Sequence, residues 1–407
     1  MKRFFLAALL LAPLASLRGG EAEPLLLAHY MPWYTTKEFS GQWGWHWSMG
    51  RFDPDRVRVD GRSEAASHDY PLIGLYDSAD PHALECQALL MKFAGLDGVV
   101  VDWYGTDDFN DYAANHRNTE RLIPFIKKAG LRFAICYEDQ SIGQMVKAKA
   151  IEAERAVARG KQALQWLQKH WFGDDAYVKR DGRPVLFVFG PQYFKGDQWS
   201  ELRAALSSRP FIYALPHLAK DASADGVFGW PPVAGGKTLA PAEWRQELDR
   251  LYARRAAGEF VAAVAFPGYH DIYKEAGLHE SYGRIDDREG KTFAETLDLA
   301  LKSGAPLIQI ATWNDYGEGT VIEPTRNHGY RYLEMLQARA QGLRRSPARF
   351  RPADLRLPVT LYQLRKRCAG NGEAGRELDK ATALLFTSKC GEAGVALKKA
   401  AALARAP

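Results

Sequence analysis

The segment Ala311-Thr312-Trp313-Asn314-Asp315-Tyr316-Gly317-Glu318-Gly319-Thr320 sets two carboxylates three residues apart among aromatic and amide side chains. Paired carboxylates suit cleavage of a glycosidic bond: one protonates the leaving oxygen, the other acts as base or nucleophile, and flat apolar rings hold a sugar. The simpler reading is a strand-end turn whose acids cap the following helix. Just before it runs Ala305-Pro306-Leu307-Ile308-Gln309-Ile310, an apolar stretch that reads as a buried parallel strand. In a β/α barrel, chemistry is done at the C-terminal ends of the strands.

Short apolar runs of this kind recur along the chain. Strands are predicted over 25–33, 98–104, 131–138, 184–189, 211–217, 226–230, 260–267 and 307–313. Helical patterns fall between most of them, over 81–95, 115–130, 143–172, 199–206, 241–257 and 292–304. Pro81 and Pro241 suit a first helical turn, and Gly95, Gly130 and Gly304 suit a helix stop. Eight strands alternating with helices predict an α/β chain, a (β/α)8 barrel of the TIM type, with one degenerate unit between the fifth and sixth strands. A doubly wound open sheet is the alternative, and no GxGxxG after the first strand supports its dinucleotide-binding form. A Leu, Ala, Lys and Arg pattern at helical spacing over 360–404 predicts a small C-terminal helical appendage over 349–407.

The other strand ends add candidates. The first runs into His29-Tyr30-Met31-Pro32-Trp33-Tyr34 and then Gln42-Trp43-Gly44-Trp45-His46-Trp47, aromatic loops that read as a sugar-stacking surface or a hydrophobic plug. The second ends in Asp102-Trp103-Tyr104-Gly105, where Asp102 is a barrel-mouth carboxylate or a buried cap. The third ends in Tyr137-Glu138-Asp139: Glu138 would face the same mouth as Asp315 and Glu318, and Asp139 reads as a helix cap. His217 and His270 read as structural groups, and Glu323 as a residue that orients its loop. No GxSxG, CxxC or HExxH occurs, so neither a serine elbow nor a zinc site competes with the acids.

Composition bounds the rest. An apolar content of 46% over 407 residues supports a well-buried core, and a net charge of +5 with interspersed signs gives no nucleic-acid stripe. Met1-Lys2-Arg3 and the apolar run after it read as a secretory signal peptide over 1–22, leaving a barrel over 23–348. The mature chain is therefore expected to be periplasmic or secreted, with no stable membrane insertion. Cys368 and Cys390, close together in the tail, are expected to form a disulfide, with Cys86 and Cys136 as small buried apolar residues.

The ensemble His29-Tyr30-Met31-Pro32-Trp33-Tyr34, Trp43, His46-Trp47, Asp102-Trp103-Tyr104-Gly105, Tyr137-Glu138 and Trp313 through Pro324 resembles the glycoside hydrolase family 71 and family 99 group. The resemblance covers roughly 25–342. It implies a metal-free (β/α)8 enzyme acting on α-glucan or α-mannan, without a cofactor. Trp313 to Glu318 looks like the family 71 pattern, and Gly319 to Pro324 like the family 99 pattern. It implies Glu318 as general acid, Asp315 as base or assisting carboxylate, and Glu138 as a binder of a sugar hydroxyl. Tyr30, Trp33, Trp47, Trp103, Tyr316 and Asn314 are the further candidate substrate contacts. In family 99 the position of Asp315 is usually Glu and acts through the sugar's own 2-hydroxyl with retention; the shorter Asp315 favours an inverting route. A non-catalytic glycan-binding or polysaccharide-assembly protein on the same barrel is the reading from another class.

Overall fold

The computed structural model describes residues 23–344 and 349–404, so the expected signal peptide lies outside the described residues. Eight strands form the barrel: β1 (Leu25–Tyr30), β2 (Gly98–Trp103), β3 (Arg132–Tyr137), β4 (Arg183–Val188), β5 (Phe211–Ala214), β6 (Gly226–Phe228), β7 (Phe260–Ala265) and β8 (Leu307–Ile310). Each pairs in parallel with the next, and β8 pairs with β1 through Leu25↔Leu307 to Ala28↔Ile310, so the sheet closes on itself. These strands are buried on both faces, which is why they read in the sequence as nearly continuous apolar runs.

Helices α1 (Pro81–Ala94), α2 (Tyr112–Lys128), α3 (Gln140–Lys147), α4 (Ala156–His170), α5 (Gly196–Ala204), α6 (Pro241–Ala256), α7 (Lys291–Lys302) and α8 (Arg331–Leu343) surround the barrel. The start of α1 shows the local logic. Asp80 accepts a bond from the backbone N–H of His82 at 2.8 Å, Pro81 occupies the first turn, and Gly95 ends the helix with a positive φ of 86°. The single helix expected over 143–172 is instead two, because the chain turns at Ala148–Glu152 with Lys149 at a φ of +56°. No helix separates β5 from β6, the degenerate unit of the barrel.

Alternation along the strands decides what faces where. Leu27, Val100, Ala134, Phe187 and Ala262 fill the barrel interior. Their neighbours Leu26, Ala28, Val99, Val101 and Ile135 point outward into the layer shared with the helices. His29 and Asp102 continue the inward set, whereas Tyr30 and Trp103 continue the outward one.

The tail is three helices, α9 (Arg356–Arg367), α10 (Gly372–Phe386) and α11 (Cys390–Leu403), docked on α1. Arg365 of α9 ties that helix to α1 and α10: its guanidinium reaches Glu85 of α1 at 3.0 Å, and Asp379 at 3.1 Å and the Thr382 hydroxyl at 2.7 Å on α10. The expected Cys368–Cys390 disulfide is corrected here, since all four cysteines are free thiols. Cys368 follows the C-terminus of α9, while Cys390 sits beside Arg351 and Asp354, which lead into the N-terminus of that helix. A helix of 12 residues puts about 18 Å between those two ends. Among the described residues, no helix is long and apolar enough to cross a membrane.

Candidate active site

The acid segment leaves β8 and is pinned across the mouth of the barrel. The Trp313 N–H donates to the His29 carbonyl at 2.7 Å, and the Thr312 N–H donates to the Thr320 carbonyl at 2.8 Å, which turns the segment back on itself. Within the turn, the Asp315 N–H donates to the Thr312 hydroxyl at 2.8 Å, and Asp315 Oδ1 accepts from the Glu318 N–H at 3.0 Å. The loop after β7 holds the segment from outside: the His270 N–H donates to the Glu318 carbonyl at 2.9 Å, and the Ile272 N–H to the Gly317 carbonyl at 3.0 Å. Gly319 makes this approach possible, because it sits at a φ of +64° and a Cβ there would come within 2.5 Å of the His270 carbonyl oxygen.

Both carboxyls face a cleft of about 390 Å³ shared with His29, Trp33, Trp45, His46, Asp102, Tyr104, Glu138, Trp230, Tyr269 and Tyr273. Burial raises the affinity of both for a proton, but their surroundings differ. Asp315 is pushed up by burial and eased back by the N–H groups of Glu318 and Gly317 and by the imidazole of His46. Glu318 is pushed well above the usual carboxylate range by burial and then by the Asp315 charge. Trp230 Nε1 donates to Glu318 Oε2 at 3.3 Å. The environments separate the two groups in the sense an acid–base pair needs, with Glu318 keeping its proton longer than Asp315.

Deeper in the mouth lies a second pair of carboxyls. Glu138 continues β3, its N–H donating to the Trp103 carbonyl at 3.1 Å, and Gln140 Nε2 donates to its Oε2. Asp102 and Glu138 line the cleft from adjacent strands, and burial pushes both well above the usual carboxylate range. His29 lies alongside, Nε2 3.8 Å from Asp102 Oδ1. Gln309 donates its amide N–H to the Gly229 carbonyl at 3.2 Å, so it presents Oε1 to His29 Nδ1, also at 3.2 Å. His29 therefore carries its proton on Nδ1 and stays neutral, burial pulling it down to about 4. Among the described residues, His29, Asp102 and Cys136 form the one group whose donor atoms come within 4.8 Å of one another in the manner of metal ligands.

The structure brings Glu318, Asp315, Glu138 and Trp33 to one cleft. It does not bring Tyr30, Trp47, Trp103, Tyr316 or Asn314 there, and these five sequence expectations are corrected. Tyr30 points to the helix layer and donates its hydroxyl to Gln87 Oε1 at 2.7 Å. Trp103 is equally outward, buried against Tyr137, Trp166 and Trp171. Trp47 and Tyr316 pack on Tyr34 beneath the front loop, with Trp47 Nε1 donating to the Tyr76 carbonyl at 2.9 Å. Asn314 is a clamp between strands: it accepts from the Met31 N–H at 2.8 Å and donates to the Met31 carbonyl at 3.0 Å and the Tyr76 hydroxyl at 2.9 Å. Glu323 orients this loop, as read, accepting from the Tyr76 hydroxyl at 2.9 Å and the Gln87 amide at 3.2 Å. Asp139 likewise serves structure, its carboxylate accepting the N–H groups of Gln192, Tyr193 and Phe194.

Sequence reasoning left out Trp230, Tyr269 and Tyr273, gave His29 no individual role, and left Asp102 open between a barrel-mouth carboxylate and a buried cap. The inward phase of β1 and β2 was the signal for the last two. Trp230, two residues past β6, stands where the strand-end rule also points. Tyr269 and Tyr273 ride a loop whose path the sequence does not specify.

No protein-family model matches the chain. The chain is similar to a glycoprotein endo-α-1,2-mannosidase of Rattus norvegicus, 24% identical over 335 residues, which span 75% of this chain and 70% of that one. It is also 26% identical over 171 residues to a mutanase of Penicillium rubens, across 39% of this chain and 36% of that one. Among solved structures, the GH99 endo-α-mannosidase from Bacteroides thetaiotaomicron shares the fold, with a TM-score of 0.59 and 19% identity over 79% of this chain and 98% of that one. The relatives thus fall in the two families, 71 and 99, that the acid segment resembles.

Proposed function

We propose that the chain is an exported glycoside hydrolase that cleaves an α-linked glucan or mannan, as polysaccharide or oligosaccharide. The observation that carries this is the convergence of Asp315 and Glu318 on one aromatic-lined cleft with their proton affinities set apart. The curated relatives, named for endo-α-1,2-mannosidase and mutanase activity, support the α-linkage. Export rests on the signal-peptide pattern of the first residues.

In this reading a sugar enters between Trp33 and Trp230, with Glu138 accepting from or donating to one of its hydroxyls. Glu318, protonated, hands its proton to the glycosidic oxygen as the bond breaks. Asp315, ionised and anchored by the Glu318 N–H, either takes a proton from an attacking water or assists from the sugar's own 2-hydroxyl. Its short side chain leaves space for the water, which favours inversion.

Purified protein offered a panel of α-linked glucans and mannans tests the proposal. Release of reducing sugar from at least one polymer is expected, with the β-anomer appearing first in proton NMR. The α-anomer appearing first would redirect the mechanism to the retaining route. Binding without turnover on every substrate would favour the non-catalytic glycan-binding reading.

A further inference from the structure

Asp102 is a buried carboxyl that the proposed reaction does not use. It stands on the inward face of β2, level with Cys136 of β3, and Glu138 lies two residues beyond Cys136 on that same inward face. The two carboxyls are therefore diagonal neighbours across adjacent strands, both almost fully withdrawn from water at 1% and 9% exposure. Most titratable groups around them are neutral or acidic; the basic ones are His46, which lines the same cleft, and Arg117, which lines the adjoining cavity that Glu138 also faces. His29 faces Asp102 from β1, Tyr104 and Asp111 from beyond β2, Cys136 from β3, Asp139 from the start of α3, and Asp315 from the β8 loop.

No lysine or arginine lies among the residues lining this cleft. Two ionised carboxylates at neighbouring buried positions, with no lysine or arginine in the cleft they share, would repel strongly, and a proton held between them removes that cost. His29 cannot supply it, because its own proton is committed through Nδ1 to Gln309 and its Nε2 is an open lone pair.

We propose that Asp102 is a positioning residue: it holds one proton in common with Glu138 and thereby fixes the carboxyl that receives a sugar hydroxyl. Gln140 holds Glu138 from the other side through Oε2, so the side chain is clamped between an amide donor and a carboxyl partner. The clamp is removed when the shared proton leaves. Both carboxyls then carry charge, they repel, and Glu138 swings from its place. This inference rests on the glycoside-hydrolase reading for its kinetic consequence, but the shared proton is a property of the protein alone.

The test uses Asp102→Asn and Asp102→Ala in the full chain. Asparagine can both donate to and accept from Glu138 but cannot ionise; alanine can do neither. Alanine is expected to raise KM and lower kcat/KM by about 10- to 100-fold, the scale of a lost hydrogen bond to a charged group. Asparagine is expected to restore most of that loss. In wild type, KM rises as alkaline pH strips the shared proton, and in the asparagine variant that limb is absent. An Asp102→Asn enzyme as impaired as Asp102→Ala, or one retaining the wild-type KM limb, would overturn the proposal.

A second readout needs no substrate. Both carboxyls have folded-state proton affinities above their unfolded values, so their stabilisation is full below the unfolded carboxylate pKa and fades as pH rises through the folded one. The melting temperature of wild type relative to Asp102→Asn should therefore fall steadily from pH 4 upward. A difference that does not change with pH would contradict the shared proton, as would a divalent cation found stoichiometrically in the purified protein and lost in Asp102→Ala. If no α-glycan is hydrolysed by wild type, the functional reading fails while this stability comparison still decides the role of Asp102.

Discussion

Two layers at the same end of the barrel are built from adjacent residues and do different work. His29, Asp102 and Glu138 face the mouth; Tyr30, Trp103 and Tyr137 beside them face the helices. The inward layer is made of carboxyls, an imidazole and a few partly exposed rings. The outward layer is made of fully buried rings, two of which end their polar tips on protein groups, Tyr30 on Gln87 and Trp103 on His116. One residue of register separates a group that faces the cleft from one that holds the wall behind it. The outward rings give the mouth the rigidity to keep the buried carboxyls of Asp102, Glu138 and Asp315, and the half-buried Glu318, in place, which a softer wall would let relax into water.

Substitutions can break this division layer by layer. The largest effect is expected from the acid pair: Glu318→Gln and Asp315→Asn each lower kcat by about 10²–10⁴, the usual scale of an acid–base contribution, with unchanged circular dichroism and melting temperature. A folded variant of either kind that kept near wild-type turnover would remove that residue from the chemistry. Next comes the contrast of two tryptophans. Trp103→Ala empties a fully buried site and should cost about 3–5 kcal/mol of stability by denaturant unfolding. Trp33→Ala opens the cleft wall where its ring stacks on His46 at 4.1 Å, and should raise KM several-fold with a smaller loss of stability. The reverse pattern, with Trp103→Ala changing KM and Trp33→Ala only stability, would mean the two layers have been assigned backwards. The smallest effect is Tyr30→Phe. Losing its bond to the buried Gln87 oxygen should cost about 1–2 kcal/mol of stability while kcat and KM stay at wild-type values.

The barrel was legible because its strands are buried on both faces, and such strands announce themselves as apolar runs between helical patterns. Asp315 and Glu318 were visible as acids just past the last run. Glu138 was visible for the same reason at the end of the third. What went astray was orientation: Tyr30 and Trp103 were weighed by residue type, since rings suit sugars, although the phase of their strands turns them outward. Asn314 and Tyr316 sit among reacting groups in sequence, yet the tight turn from Thr312 to Thr320 points them into the wall. Trp230, Tyr269 and Tyr273 arrive from loops that only the closed barrel brings to the mouth. In the tail, nearness of Cys368 and Cys390 in sequence misled because a whole helix, α9, spans the distance between their surroundings.

The account stands on Glu318 holding a proton that Asp315 has given up. The pH dependence of kcat on an α-linked oligosaccharide tests this directly. Burial and the Asp315 charge raise Glu318 well above the usual carboxylate range, while Asp315 is raised less and eased by backbone N–H groups. The rate should therefore climb as Asp315 ionises, hold across a plateau, and fall as Glu318 loses its proton, the two limbs belonging to the coupled pair. A bell of this form is the result the account predicts. A rate that stays flat from the acidic range through neutrality and beyond would contradict it.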